Sequence, residues 1–249
     1  MNIAKLLILF IIIFPLGANA KTNGFAVGIA SNHIDITVGF DGSSIELFGD
    51  RRDKKAVVAI VVEGPKKNVT IWKKAKIMGT WVNFHYAKFK KIPTYYNYAI
   101  STDKISKVLS KAMTQNAIGH EALFNKVNSE KNKKREDIEI FQDALLQKNY
   151  DLGVFFEKPA EIDFINDNFF HASFKVPPSA PTGDYKIHSF LIKNGKVVNH
   201  IINDLKVEQV GLNAFIYKSA QNYSFVYAMF CIFLALFAGW LVSSVRVRP

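Results

Sequence analysis

The sequence predicts a mainly β protein: two small immunoglobulin-like β-sandwich units joined by a helical segment, plus one C-terminal transmembrane helix. Three observations carry this. Short apolar–polar alternations punctuated by turn pairs fill residues 25–101 and 152–210, the pattern of stacked short strands. Between them the apolar period lengthens to that of helices. Phe225 to Val242 then runs eighteen residues without a charge, and Tyr223 and Ser224 extend it to about the 20 residues that cross a bilayer.

In chain order, Lys5 precedes an eleven-residue apolar run, Leu6 to Leu16, and the small-residue exit Ala18-Asn19-Ala20. A charged start, a short apolar core and such an exit predict a signal peptide over 1–20. The first β unit is expected over 21–101. Ile34, Ile36 and Val38 alternate with Asp35 and Thr37, a half-buried strand. Asp41-Gly42 is a turn pair, and Ala56 to Val62, apolar and rich in β-branched residues, suits a strand covered on both faces. Gly64-Pro65 ends it, and strands are expected at Val69–Lys76, Trp81–Tyr86 and Tyr95–Ile100.

A helical connector is expected over 102–150. Thr102-Asp103 is a capping pair for a helix with Ile105, Val108, Leu109, Ala112 and Met113 on one face. A second helix is expected from about Glu121. Glu130 to Asp137 carries no apolar residue, and Ile138, Phe141 and Leu145 resume helical spacing.

The membrane-proximal β unit, 151–211, begins with an expected strand at Leu152–Phe156. It continues through Phe169–Val176 to a hairpin of Tyr185–Ile192 and Val197–Ile202 closed by Asn194-Gly195. Leu205, Val207 and Val210 mark a last strand. Residues 212–222 form a juxtamembrane connector, 223–243 the span and 244–249 the tail. Arg246 and Arg248 in that tail favour a cytoplasmic end, leaving the main domain outside the cytoplasmic membrane.

The single cysteine, Cys231, falls inside the span, so the exported part has no disulfide and no thiol nucleophile. The net charge is +11. Outside the cytoplasm such an excess favours lipid or protein partners over nucleic acid.

The sharpest local feature lies between Glu63 and Asp103, where no acidic residue occurs. Lys66, Lys67, Lys73, Lys74, Lys76, Lys88, Lys90 and Lys91 fall there, interleaved with Trp72, Trp81, Phe84, Tyr86, Phe89, Tyr95, Tyr96 and Tyr98. Folded back on one another, such strands gather ammonium groups on one face whose field no carboxylate cancels. The competing reading makes the aromatics strand core and the lysines edge protection. The six histidines show no close ligand spacing, and none of the common hydrolase, zincin, P-loop or dinucleotide signatures is present. No catalytic residue, cofactor site or metal site is therefore expected.

An ordered set of motifs remains. Ser31-Asn32-His33-Ile34-Asp35-Ile36, Phe40-Asp41-Gly42 and Leu47-Phe48-Gly49 open it. Val62-Glu63-Gly64-Pro65, Lys74 with Gly79-Thr80-Trp81-Val82-Asn83, and Ile92-Pro93-Thr94-Tyr95-Tyr96 follow. Phe170 with Val176-Pro177, Gly183-Asp184-Tyr185 and Asn194-Gly195-Lys196-Val197-Val198 lead to Ala238-Gly239-Trp240 in the span. Together they resemble the alphaproteobacterial putative transmembrane protein family, across nearly the whole mature chain. Thr80 departs from the aliphatic residue that family pattern favours, and the basic segment is rich in lysine and poor in arginine. His33, Gly49, Gly64, Pro65, Trp81, Asn83, Pro93, Tyr95, Gly183 and Tyr185 are the residues that carry the pattern.

The resemblance implies a Gram-negative inner membrane, one span with a periplasmic domain, and genetic association with anion exporters; it supplies no catalytic residues. The expected function is a non-enzymatic accessory or interaction subunit of a membrane assembly, with a membrane protein as partner. The alternative is a periplasmic module that binds anionic lipid headgroups or another anionic ligand through the Lys/aromatic face.

Overall fold

The computed structural model describes residues 24–126 and 135–245. The expected signal peptide, the tail arginines and most of the charged stretch 130–137 lie outside the described residues. Seven strands come first: β1 (Ala26–Ile29), β2 (His33–Ile36), β3 (Ser43–Asp50), β4 (Val57–Glu63), β5 (Lys66–Ile77), β6 (Thr80–Pro93) and β7 (Tyr96–Ile100). Three helices follow, α1 (Lys107–Gln115), α2 (His120–Lys126) and α3 (Arg135–Asp151). Then come β8 (Ile162–Phe164), β9 (Phe169–Val176), β10 (Gly183–Lys193) and β11 (Lys196–Gln209), and finally α4 (Leu212–Asn222) and α5 (Ser224–Val245).

The mainly β class and the C-terminal apolar helix are as the sequence predicts, but the pairing joins what the sequence divides. One sheet runs β1-β3-β9-β8 and the other β2-β11-β10-β4-β7, so each takes strands from both sides of the helical segment. Leu47 on β3 lies opposite Ala172 on β9, and Val62 on β4 lies opposite Ile187 on β10. The two expected units therefore share their sheets, and α1–α3 connect β7 at the edge of one shared sheet to β8 at the edge of the other. The physical reason is the core. Leu47, Phe170 and Phe174 from one sheet and Ile60, Val62, Tyr185 and Ile187 from the other are all buried in one cluster. Each such side chain contributes roughly 1.5–3 kcal/mol by leaving water, and the seven strands before the helices and the four after them bury these side chains jointly.

Local signals explain most elements. β4 is buried from Val58 onward, as an apolar run without alternation requires. Asn194 and Gly195 adopt φ of 51° and 69°, the left-handed pair that a tight two-residue hairpin needs. The expected strands Val197–Ile202 and Leu205–Val210 merge into β11, fourteen residues long. Leu152–Phe156 forms no strand and leaves only a bridge between Phe155 and Tyr96. The first helix starts later than expected: Ser106, not Thr102-Asp103, caps α1 by accepting from the Leu109 amide at 3.2 Å. Leu109 and Ala112 are buried on that helix, Val108 is exposed, and Ile105 falls before the cap, also exposed.

Candidate functional site

Among the described residues β5 and β6 pair only with each other, forming a two-stranded antiparallel ribbon outside the two main sheets. With 12 residues in β5, the ribbon is about 40 Å long at roughly 3.3 Å per residue. Met78 and Gly79 close its far end with φ of 49° and 83°.

Its root is tightly built. Glu63, the last residue of β4, is buried and holds Lys66 Nζ at 2.6 Å. The Gly64 amide donates to the Tyr95 carbonyl at 2.8 Å, and the Thr94 amide to the Pro65 carbonyl at 2.9 Å. A side chain on Gly64 would sit 2.9 Å from Tyr95 Cβ, and one on Gly183 would sit 2.9 Å from Pro65 Cγ. Tyr95 is fully buried, its ring 5.5 Å from that of Tyr185. Burial pushes both phenols well above the usual tyrosine range. Six of the ten family-pattern residues, Gly64, Pro65, Pro93, Tyr95, Gly183 and Tyr185, thus meet at the root. Trp81 and Asn83 lie near the tip. Gly49 lies under Phe170 in the other sheet, and His33 opens β2 at a sheet edge, its Nδ1 3.2 Å from Asn32 Oδ1.

Along the shaft, register decides which side chains share a face. Thr70 lies opposite Lys88, Trp72 opposite Tyr86, Lys74 opposite Asn83 and Lys76 opposite Trp81. The ladder slips between Lys73 and Lys74, leaving Phe84 as the extra residue on β6. The slip keeps Lys74, Lys76 and Lys88 on one face with Trp72, Trp81 and Tyr86. Trp72 and Tyr86 stand 4.8 Å apart between ring centroids, and Lys88 Nζ lies 5.3 Å from the Tyr86 ring. The opposite face carries Val69, Ile71, Ala87 and Phe89 near the root, where Phe89 meets Phe124 of α2 edge-on at 6.1 Å. Lys73 and His85 lie further out on that same opposite face.

The structure therefore gathers three of the eight predicted lysines with three aromatics. Lys66 is spent on Glu63, and Lys67 sits at the root opposite Ile92. Lys90 and Lys91 fall at an irregularity where the Lys91 amide donates to Asn68 Oδ1 at 3.1 Å. The aromatic-core reading also holds in part. Phe89, Tyr95 and Tyr96 are buried, whereas Trp72, Trp81 and Phe84 are exposed, Trp81 at 65%.

What sequence reasoning missed is the apolar tip. Ile77, Met78, Trp81, Val82 and Phe84 are all exposed, Met78 completely. The only signal for it is the Met78-Gly79 turn set between two long β-prone runs.

A second feature lies beside β7. His120 is ringed by Tyr96, Tyr98, Tyr150 and Phe155, with centroids 5.4, 5.6, 5.5 and 6.0 Å away. Its Nδ1 lies 3.2 Å from Tyr150 Oη, and burial pushes its pKa down to about 4. It borders a recess of about 410 Å³. Among the described residues no three histidine, cysteine, aspartate or glutamate side chains are grouped to hold a metal ion.

A mixed β body carrying a basic, aromatic ribbon, followed by a 21-residue segment, Ser224–Ser244, apolar enough to cross a bilayer, defines a membrane-protein architecture with one candidate span. Residues 24–248 match the family described as "Putative transmembrane protein (Alph_Pro_TM)", and the chain belongs to that family. No curated protein matches it. A solved structure from work titled "Structural basis of T cell specificity and activation by the bacterial superantigen toxic shock syndrome toxin-1" aligns with 75% of this chain and 100% of its own. The identity is 7% and the TM-score 0.26, too low for any fold argument.

Proposed function

We propose that this protein is a non-enzymatic accessory subunit of an inner-membrane assembly, its β body held on the periplasmic side by α5. One observation supports the reading above others: the ribbon and the membrane helix leave the body at the same end. Glu63, from which the ribbon springs, lies opposite Lys186 on β10, and Gly183 three residues before lies opposite Val207 near the end of β11. The chain leaves that strand through Gly211 into α4 and α5. An exposed ribbon next to a membrane stalk is a contact element, not a cleft for chemistry. The association with anion exporters that the resemblance implies makes an anion-export complex the first assembly to test. A photo-crosslinking residue at Trp72 or Phe84, behind the ribbon's tip, in living cells is expected to capture a discrete membrane protein. Recovery of the uncrosslinked chain alone, from several ribbon positions, would remove the reading.

A second reading, binding of anionic headgroups or another anionic ligand, is favoured by the shared face of Lys74, Lys76 and Lys88 with Trp72, Trp81 and Tyr86. Exposed ammonium groups beside aromatic rings suit phosphate-bearing surfaces. Amine labelling of the full chain in nanodiscs tests it. Lys74, Lys76 and Lys88 are expected to be protected by anionic but not neutral lipid, in a salt-sensitive way, while Lys73 stays reactive.

A further inference from the structure

We infer that the ribbon tip docks into the phospholipid interface of the bilayer that holds α5, giving the body a second foot beside its helical stalk. The inference rests on α5 being a span and deepens the headgroup reading at the ribbon's tip. There the lysines meet phosphates; here Ile77, Met78, Trp81 and Val82 enter the layer beneath.

Geometry makes the contact reachable. The ribbon's root and the stalk share one end of the β2-β11-β10-β4-β7 sheet, with Pro65 against Gly183. The α4 connector has eleven residues, a rise of about 16 Å if helical throughout. The ribbon, about 40 Å long, exceeds that distance. Chemistry selects the occupant. An exposed apolar patch marks an interaction surface, and here Ile77, Met78, Trp81 and Val82 crowd the last residue pairs of the ribbon, with Lys76 opposite Trp81 and Lys74 two residues behind it. No acidic residue lies between Glu63 and Asp103 to oppose an anionic surface. Tryptophan with flanking lysine is the pairing that settles at a membrane–water interface, the ring among the headgroups and the ammonium reaching back to phosphate.

Backbone hydrogen bonding bounds the depth. Both edges of a two-stranded ribbon carry unpaired amides and carbonyls, which hydrocarbon does not tolerate. Only the Met78-Gly79 turn and the first residue pairs enter, to roughly 5–10 Å, the depth of interfacial elements. In water, by contrast, a lone ribbon is marginal, so the membrane also supplies the burial its outer half lacks.

The three tryptophans, Trp72, Trp81 and Trp240, make the test direct in the full-length protein. In proteoliposomes of phosphatidylcholine and phosphatidylglycerol, brominated acyl chains quench only indoles at or below the interface. The W72F/W240F chain, reporting Trp81 alone, is expected to lose about half its emission, and the W72F/W81F chain reports whether α5 is inserted. Met78→Asp, at a fully exposed position, is expected to restore most of the Trp81 emission while leaving Trp240 quenched. Trp240 quenched with Trp81 unaffected overturns the inference and leaves the tip to a protein partner, as does quenching of Trp81 that Met78→Asp does not change. Trp240 unquenched removes the span itself, and the inference falls with it.

Discussion

Tyr95, in the two-residue link between the ribbon and β7, donates its hydroxyl at 2.7 Å to the carbonyl of Lys175, eighty residues later on β9. A single phenol thus ties the ribbon's root in one sheet to a strand of the other. Removing the hydroxyl leaves the ring's packing in place and strips the Lys175 carbonyl of this donor. Tyr95→Phe is expected to cost about 1–1.5 kcal/mol, read as a lower denaturation midpoint of the detergent-solubilised chain. Tyr95→Ala, which also opens a cavity, is expected to cost about 3–5 kcal/mol. Equal stability of Tyr95→Phe and the native chain would show that the bond contributes nothing.

Gly49 is a family-pattern residue whose role is steric. A Cβ there would lie 2.4 Å from Phe170 Cζ and 2.8 Å from the Ala26 carbonyl oxygen. Phe170 is fully buried and backbone cannot retreat, so Gly49→Ala overpacks the core and is expected to cost about 1–3 kcal/mol. Gly28 is the matched control on the neighbouring strand, with no atom within 4 Å of its would-be Cβ. Gly28→Ala is expected to change stability by less than about 0.5 kcal/mol. Thermal melts of the two variants side by side check the difference.

These residues also show what is legible in the sequence. β4 announced itself because an unbroken apolar run has only one comfortable place, between two covered faces. The Asn194-Gly195 hairpin was visible because few residues adopt left-handed φ cheaply. The cross-pairing of Leu47 with Ala172 was not, because both halves alternate alike and nothing local encodes a partner 125 residues away. The start of α1 was misplaced because Thr102 and Ser106 are capping residues of equal type. Only the fold makes Ser106 the cap, while Thr102 Oγ1 accepts from the Lys104 amide in a local turn. At the candidate site, charge and aromatic content were readable. Which lysines share a face was not, since it turns on one unpaired residue, Phe84.

That slip yields a selective prediction. Charge reversal at Lys74 and Lys76 alters the aromatic face, whereas reversal at Lys73 alters the other. None of the three is buried, so the variants are expected to fold with stability within about 0.5 kcal/mol of the native chain. K74E/K76E is expected to abolish the anionic-lipid protection of Lys88, and K73E to leave it intact. Loss of protection in both variants would point to general electrostatic attraction without a defined face.

His120 supplies a pH dependence whose sign follows from its surroundings. Burial among Tyr96, Tyr98, Tyr150 and Phe155 disfavours the charged ring and pushes its pKa from 6.5 down to about 4. The unfolded chain therefore takes up a proton near pH 6.5 that the folded chain refuses until about pH 4. Stability is fully present above pH 6.5, declines as pH falls through the window, and has lost this contribution entirely below about 4. One proton is worth at most 1.36 kcal/mol per pH unit, and the ring's partial exposure reduces this to about 1 kcal/mol or less. Glu46 is distinct: hydrogen bonds from Ser44, Ser173 and His171 outweigh its desolvation and hold its carboxyl below 4.5. Its contribution is present above about pH 4.5 and fades only below it, so over pH 6.5 to 4.5 the difference in slope between His120→Phe and the native chain reports the ring. His120→Phe keeps an aromatic ring in the box and removes the titrating group. Its stability, measured by denaturant midpoint across that range, is expected to be flatter with pH than that of the native chain, whatever the offset between them. Parallel slopes would mean that the ring accepts its proton in the folded state as readily as in water, and that the box around it is open.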